Sequence, residues 1–385
     1  MDFSISEDLK DIRAAVRELC GAFPSEYWRG LEPDRYPEEF VQALTDQGWL
    51  AALIPEEYGG SGLPLSAAAV ILEEISASGG NPGACHAQMY VMGTLLRHGS
   101  DEQKAQWLPE IAAGRLRLQA FGVTEPDVGS DTTSIKTRAR RTDDGWIVNG
   151  QKIWTSRALQ SDLMVLLART TPIDEVTKKT DGLSVFLVDM RDREGQLTIN
   201  PIKTLMNHST TEVFIDGLTL PDSALIGEEG KGFRYILTGM NAERMLIASE
   251  CIGDGRFVID RAAAYASERM VFGKPIGANQ GVQFPLARAH MALEAAGLMR
   301  WKAIWLYEQN LPCGAEANMA KFLASEASFA AANAAIDTHG GFGFAEEYDI
   351  ERKFRETRLY TVAPISNNLV QAFVGQHVLG MPKSY

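Results

Sequence analysis

Apolar spacing changes period twice along this chain, and those two changes bound what it can fold into. As far as about residue 115 the spacing is helical, as at Leu9, Ile12, Val16 and Leu19. Near Leu116 it turns to alternation. Leu116–Val123, Ile135–Arg141, Trp146–Trp154, Leu163–Ala168, Leu183–Val188 and Val213–Leu220 read as strands. Pro221 and the 227–232 glycine segment mark the second change. From Phe233 onward long helical segments return, over 233–267, 281–311, 315–338 and 348–378, lengths that suit a four-helix bundle. The expected class is α+β: an N-terminal helical domain over 1–115, a middle β-domain over 116–225 and a C-terminal four-helix bundle over 226–385.

Within the first part, Pro37 is placed to open a helix whose apolar side carries Phe40, Val41, Leu44 and Leu50. Ser66 to Ser78 is Ala-rich and stops at Gly79-Gly80, His86 to His98 is a further apolar helix, and Asp101 is placed to cap the next. The net charge of −13 argues against a nucleic-acid partner, which needs a concentrated positive footprint. No apolar run has the length of a membrane helix, and the acidic start, Met1-Asp-Phe-Ser-Ile-Ser-Glu-Asp, has no secretory core. Cys20, Cys85, Cys251 and Cys313 are scattered without a CxxC pair. This suits the reducing cytoplasm, with the thiols serving as small core hydrophobes and no metal site.

The chemistry centres on Phe121-Gly-Val-Thr-Glu-Pro-Asp-Val-Gly-Ser-Asp131. A strand ends abruptly, and Pro126 holds Thr124-Glu125 extended. Gly129 permits positive φ or close approach of a ligand. By itself the stretch also reads as an ordinary surface turn. Beside it stands Asn149-Gly-Gln-Lys-Ile-Trp-Thr-Ser156. Together they resemble the TEPxxGSD loop and NGxKxWxT strand of the acyl-CoA dehydrogenase flavoproteins, and the resemblance runs nearly end to end.

That resemblance implies FAD and a homotetramer, with flavin lying between subunits. Phe121, Val123 and Thr124 would line the ring edge. Trp154 would cover a ring face, and Ser156 would offer its hydroxyl to the reactive nitrogen. Without the resemblance Trp154 reads as a core aromatic. Glu268-Arg-Met-Val-Phe-Gly-Lys-Pro-Ile276 with Gln280 resembles ERxxFGxxI…Q. Arg269 would meet the pyrophosphate, with Phe272 and Gln280 by the adenine half; alone, Arg269 reads as a salt-bridge partner. Asp337-Thr-His-Gly-Gly-Phe-Gly343 resembles QxxGGxG, whose Gly340 and Gly341 would approach a neighbouring subunit's phosphates. Asp337 stands where the family has Gln, and a carboxylate there must turn away or pair with a cation. Ser366 and Asn368 match the family's Thr and Gln after the last active-site turn.

The family's reaction removes a proton beside a thioester carbonyl while hydride leaves the β-carbon for flavin. The base is a carboxylate whose pKa burial raises from about 4.3 toward neutrality. Most members carry it in a C-terminal Tyr-Glu-Gly-Thr segment. Here that segment reads Leu359-Tyr-Thr-Val-Ala-Pro-Ile-Ser366, and Pro364 falls where the Glu would be. The isovaleryl-CoA and long-chain members carry the Glu on the first bundle helix, where this chain has Glu243. Ile236, Met240, Glu243 and Ile247 share one helical face, so Glu243 reads as a lone carboxylate in an apolar stripe. The other reading is a buried Glu paired with a structural Arg. Arg244, Asn241 and Ser130 would contact the CoA portion, and electrons would pass to an electron-transferring flavoprotein.

Two features depart from the family. Pro364 lacks the N–H that would hold the thioester oxygen, a loss of roughly 3–4 kcal/mol of transition-state stabilisation; the N–H of Ile365 is one substitute. Met206-Asn-His-Ser-Thr-Thr-Glu212 is shorter than the family's MGxRxSxT, and His208 reads as a surface residue. Three functions are therefore carried forward: a dehydrogenase using Glu243, a flavin monooxygenase or oxidase of the same fold, and a non-catalytic acyl-CoA-binding subunit.

Overall fold

The computed structural model describes residues 5–383. The reading of the N-terminus as free of a leader falls partly on residues 1–4, outside the described residues. The helices are α1 (Glu7–Gly21), α2 (Ser25–Gly30), α3 (Glu38–Asp46), α4 (Leu65–Ala77), α5 (Gly83–His98), α6 (Asp101–Ala112), α7 (Gly232–Glu268), α8 (Gln280–Glu308), α9 (Gly314–His339), α10 (Ile350–Leu359) and α11 (Asn367–Phe373). The strands are β1 (Leu118–Gly122), β2 (Arg138–Thr142), β3 (Gly145–Ser156), β4 (Leu163–Arg169), β5 (Leu183–Asp189), β6 (Leu197–Pro201), β7 (Thr210–Leu220), β8 (Leu225–Ile226), β9 (Met270–Val271) and β10 (Lys274–Pro275). The α+β class and its helical, β, helical order follow the alternation read from the sequence.

The chain forms two compact units. One comprises Pro33–Leu63 and Gly83–Met240; the other comprises Met1–Glu32, Pro64–Pro82 and Asn241–Tyr385.

The first unit is built on an eight-stranded sheet of order β6-β7-β3-β2-β4-β5-β8, with β1 pairing parallel to β4. β4 is buried along its whole length, and its alternation feeds two cores. Leu163, Val165 and Leu167 face a cluster shared with Val91, Leu95, Leu108 and Ile111 of α5 and α6. Met164, Leu166 and Ala168 face a second cluster with Trp146, Val148, Val213 and Leu218. The sheet is thus covered on one side by helices and on the other by its own strands. α6 is capped by Ser100, not Asp101: the Ser100 hydroxyl accepts from the Gln103 N–H, and the Gln103 side chain accepts from the Ser100 N–H. Asp101 is the first helical residue.

The second unit is helical. Phe257, Val258 and Ala262 of α7 pack with Leu293 of α8, Ala331 and Ala335 of α9, and Ile350. Gly253 lets α7 approach α4 closely, since a Cβ there would fall 2.2 Å from the Glu73 carbonyl oxygen. The segment expected to be helical over 348–378 is broken: α10 ends at Leu359, and α11 starts only at Asn367, capped by Ser366. Pro364 cannot continue the helix of the residues before it.

Candidate active site

In the first unit the two motif stretches are locked together by one buried cation. Lys152 Nζ donates to the Val123 carbonyl at 3.0 Å and to Glu125 Oε1 at 2.9 Å. Glu125 also accepts from the backbone N–H groups of Lys136, at 2.6 Å, and Thr137, at 2.8 Å. Burial pulls the Lys152 ammonium down to about 8 against the attraction of Glu125. For Glu125 burial acts upward, but Lys152 and the donors to the carboxylate outweigh it and hold the carboxyl low. Gly150 packs against Thr137, where a Cβ would meet Thr137 Oγ1 at 2.4 Å. The Glu, Lys and Gly of these motifs are therefore internal scaffolding, and the residues between them are left to face outward.

Those residues are Phe121, Val123 and Thr124, all half-buried, and Trp154 and Ser156. The β3–β7 register slips between Lys152 and Thr155, with Trp154 at φ 60°. This bulge turns the Trp154 ring outward and leaves it 57% exposed, which excludes the core-aromatic reading. Thr124 O accepts from the Ile153 N–H at 2.9 Å, so the bulge and the 121–124 edge move as one piece. Phe121 is braced edge-on by Tyr90 at 5.5 Å.

Three further details concern the 125–130 loop and His208. The N–H groups of Glu125 and Val128 are not offered to a ligand, because each donates to the other's carbonyl in a closed turn. Gly129 does not have positive φ, and nothing lies within 4 Å of where its Cβ would be, so of its two readings close approach of a ligand is the one left open; Ser130 beside it is exposed. His208 is not at the open surface. It is half-buried, with Nδ1 3.5 Å from Arg157 Nη2, and burial followed by the charges of Arg157 and His86 holds it well below the usual imidazole range.

In the second unit Glu243 is buried, 6% exposed. The stripe reading is too narrow, since α7 is buried on all sides from Ala242 to Gly255. Glu243 is consequently not a lone carboxylate: Glu250 and Asp254 are buried on the same helix. Asp254 is committed elsewhere, accepting from Lys353 Nζ at 2.7 Å and from Tyr360 Oη at 3.0 Å. Burial raises the Asp254 carboxyl to about 6 in spite of that lysine. Arg244 is buried and donates to Asn241 Oδ1 at 2.9 Å. Burial lowers the Arg244 guanidinium, with Glu243 opposing.

The Tyr360–Asn367 turn is fixed from three directions. Tyr360 is tied to Asp254, the Asn367 N–H donates to Thr361 O at 3.0 Å, and Lys321 Nζ donates to Ile365 O at 2.7 Å. Among the described residues the Ile365 N–H has no acceptor. Ser366 Oγ accepts from the Leu369 N–H as the α11 cap, which leaves its O–H free to donate; Asn368 is exposed. Lys321 and Asn367 were not singled out in the sequence.

Arg269, Phe272 and Gln280 lie around the β9–β10 hairpin, all exposed, with Phe272 at φ 51° and 99% exposed. Arg269 makes no salt bridge among the described residues; its guanidinium lies 5.8 Å from the Phe342 ring centre. Gly340 and Gly341 are exposed, with nothing within 4 Å of a would-be Cβ. Asp337 is also exposed. In the first unit an outward aromatic over a half-buried strand edge suits a flat ring, and in the second unit a cation close to exposed glycines suits phosphates. Among the described residues no cluster of side chains could hold a metal ion, and no helix is long and apolar enough to cross a membrane.

Comparison with known proteins matches residues 6–115, 120–218 and 230–370 to the N-terminal, middle and C-terminal domains of acyl-CoA dehydrogenase. The acyl-CoA dehydrogenase fadE12 of Mycobacterium bovis is 36% identical over 391 residues, spanning 100% of this chain and 99% of that protein. The glutaryl-CoA dehydrogenase of Desulfococcus multivorans is 32% identical, spanning 100% of both. Among solved structures, the glutaryl-CoA complex of glutaryl-coenzyme A dehydrogenase superposes with TM-score 0.92 at 30% identity, covering 100% of this chain and 98% of that one. An FAD complex of PigA superposes with TM-score 0.91 at 25% identity, covering 99% and 100%. With all three domains matched in order and relatives above 30% identity along their whole length, the chain belongs to the acyl-CoA dehydrogenase family.

Proposed function

We propose that the chain is an FAD-dependent oxidoreductase that converts an acyl-CoA thioester to its 2-enoyl-CoA, with Glu243 as the base. The observation that carries the assignment is the pairing of a buried Glu243 on α7 with a proline at the position where most members carry the glutamate. When bound, FAD supplies the acceptor for the two electrons and the β-hydrogen. Glu243 takes the α-proton as a carboxylate kept from water, and Arg244, Asn241 and Ser130 bind the CoA portion. Phe121, Val123, Thr124, Trp154, Ser156, Ser366 and Asn368 hold the ring system. Arg269, Phe272, Gln280, Gly340 and Gly341 hold the nucleotide half, with Asp337 turned away. The Ile365 N–H is the donor available to the thioester oxygen in place of the one missing at Pro364. Electrons leave to an electron-transferring flavoprotein.

The test is anaerobic titration of purified enzyme with a panel of acyl-CoAs, following flavin absorbance. Glu243→Gln is expected to retain FAD and lose bleaching by at least 100-fold, the order of a positioned general base. A variant that bleaches at the wild-type rate sinks the assignment.

A second reading is an oxidase of the same fold, favoured by the missing N–H at Pro364. Peroxide formed stoichiometrically with product would support it, and strict dependence on an electron-carrier protein would exclude it.

The quaternary reading is a homotetramer. α8 exposes Phe284, Met291, Leu298 and Trp305, between 55% and 64% accessible, at seven-residue spacing. That spacing keeps large apolar side chains on one helix face, as an interface between copies requires.

A further inference from the structure

Lys321 lies in the Ala-rich α9 with its side chain wholly buried. Nζ donates to Ile365 O at 2.7 Å and to Asn367 Oδ1 at 2.8 Å. Asn367 is held in turn by donating to Ser325 Oγ at 3.1 Å and Glu326 Oε1 at 2.6 Å. The charged and titratable groups facing Lys321 are Cys251, Arg244 and Glu243 on α7 and Glu326 on α9. Cys251 stays a neutral thiol, since burial pushes it well above its ordinary range. Burial brings the ammonium down to about 8; Cys251, Glu326 and Glu243 oppose this, and Arg244 adds to it. A buried ammonium is costly, and a methionine or glutamine would fill the same space at less cost. What those residues lack is a positive charge whose field reaches Glu243 combined with donors for the turn.

We propose that Lys321 is a positioning residue for the reaction. Its hydrogen bonds fix the Ile365–Ser366 peptide and Asn367 behind the flavin-facing turn, and its charge favours the ionised form of Glu243. The inference rests on the reading of Glu243 as base. It assigns the turn a support from α9 in addition to its own backbone contacts.

The experiment measures anaerobic flavin reduction by acyl-CoA from pH 5 to 9 in wild type, Lys321→Arg, Lys321→Gln and Glu243→Gln. Loss of the cation favours the protonated carboxyl, so the acid limb of Lys321→Gln is expected at higher pH than in wild type. Lys321→Arg keeps a cation and donors and should return the limb to the wild-type position. Arginine does not titrate in this range, so any wild-type rate change centred near pH 8 should vanish in Lys321→Arg. Thermal unfolding supplies a second readout. A lysine whose folded pKa is below its unfolded value is relieved as pH rises from about 8 to 10.5, so wild type should gain Tm relative to Lys321→Gln across that interval.

An acid limb unmoved in Lys321→Gln, with Glu243→Gln inert, overturns the role of Lys321 alone. Normal reduction by Glu243→Gln overturns the base and the charge linkage together. If Lys321→Gln does not fold, persistence of the pH 8 transition in Lys321→Arg overturns the proposal.

Discussion

Lys152 Nζ lies 2.9 Å from Glu125 Oε1, with the lysine wholly buried and the glutamate nearly so. The pair joins β3 to the end of β1, and through Val123 O it holds the strand edge proposed to meet flavin. Removing the lysine alone strands a buried carboxylate and a carbonyl, a loss of about 3–5 kcal/mol. Lys152→Met is expected to lower Tm and to release FAD more readily. Thermal scanning and the flavin-to-protein absorbance ratio check both. A Lys152→Met protein with wild-type Tm and full FAD content would remove the pair from this role.

Glu73 on α4 gathers three arginines: Arg300 Nη1 at 2.7 Å, Arg13 Nη2 at 3.1 Å, and Arg256. Burial alone would push its carboxyl up. The charges of Arg300, Arg256 and Arg13 overcome that and hold it at about 2, against an ordinary 4.5. A depressed folded pKa gives stability that is fully present above 4.5 and is lost as pH falls toward about 2. The difference amounts to about 3 kcal/mol at neutral pH. Glu73→Gln should lie well below wild type in Tm at pH 7, and the gap should close between pH 4.5 and 2. A gap constant over that range would show that Glu73 does not titrate as described.

Much of this architecture is legible in the residues, and the gaps have particular causes. β4 and β5 were readable because both faces are buried, which gives unbroken apolar runs. β6 was missed: none of Leu197–Pro201 is fully buried, so this edge strand carries no clear alternation. The break between α10 and α11 was missed because Leu359, Val362 and Ile365 keep a helical spacing through a turn that Pro364 ends. For the site, the proposed contact residues could be named from the resemblance, but the groups that hold them in place could not. Nothing in the sequence pairs Glu125 with Lys152, and only the fold shows that they are spent on each other. Lys321 carries no signal in its Ala-rich stretch, and only the fold shows that its side chain is wholly buried.

The α8 seam gives a prediction independent of the chemistry. Residues seven apart on a helix drift by about 20° per step, so from Phe284 to Trp305 the row turns by roughly 60° and still fits one contact face. Burying such a side chain contributes about 1.5–3 kcal/mol, so four in each copy can hold an interface that no single residue could. Trp305 is 58% exposed in the isolated chain. Replacing it by glutamate would bury a charge in any such contact, while costing little in the monomer, where the side chain already meets water. Trp305→Glu is expected to sediment as a smaller species than wild type at micromolar concentration, with far-ultraviolet circular dichroism unchanged. It should also retain less FAD, since the exposed Phe272, Gly340 and Gly341 are read as parts of a cofactor site shared between copies. Sedimentation identical to wild type would take α8 out of the interface.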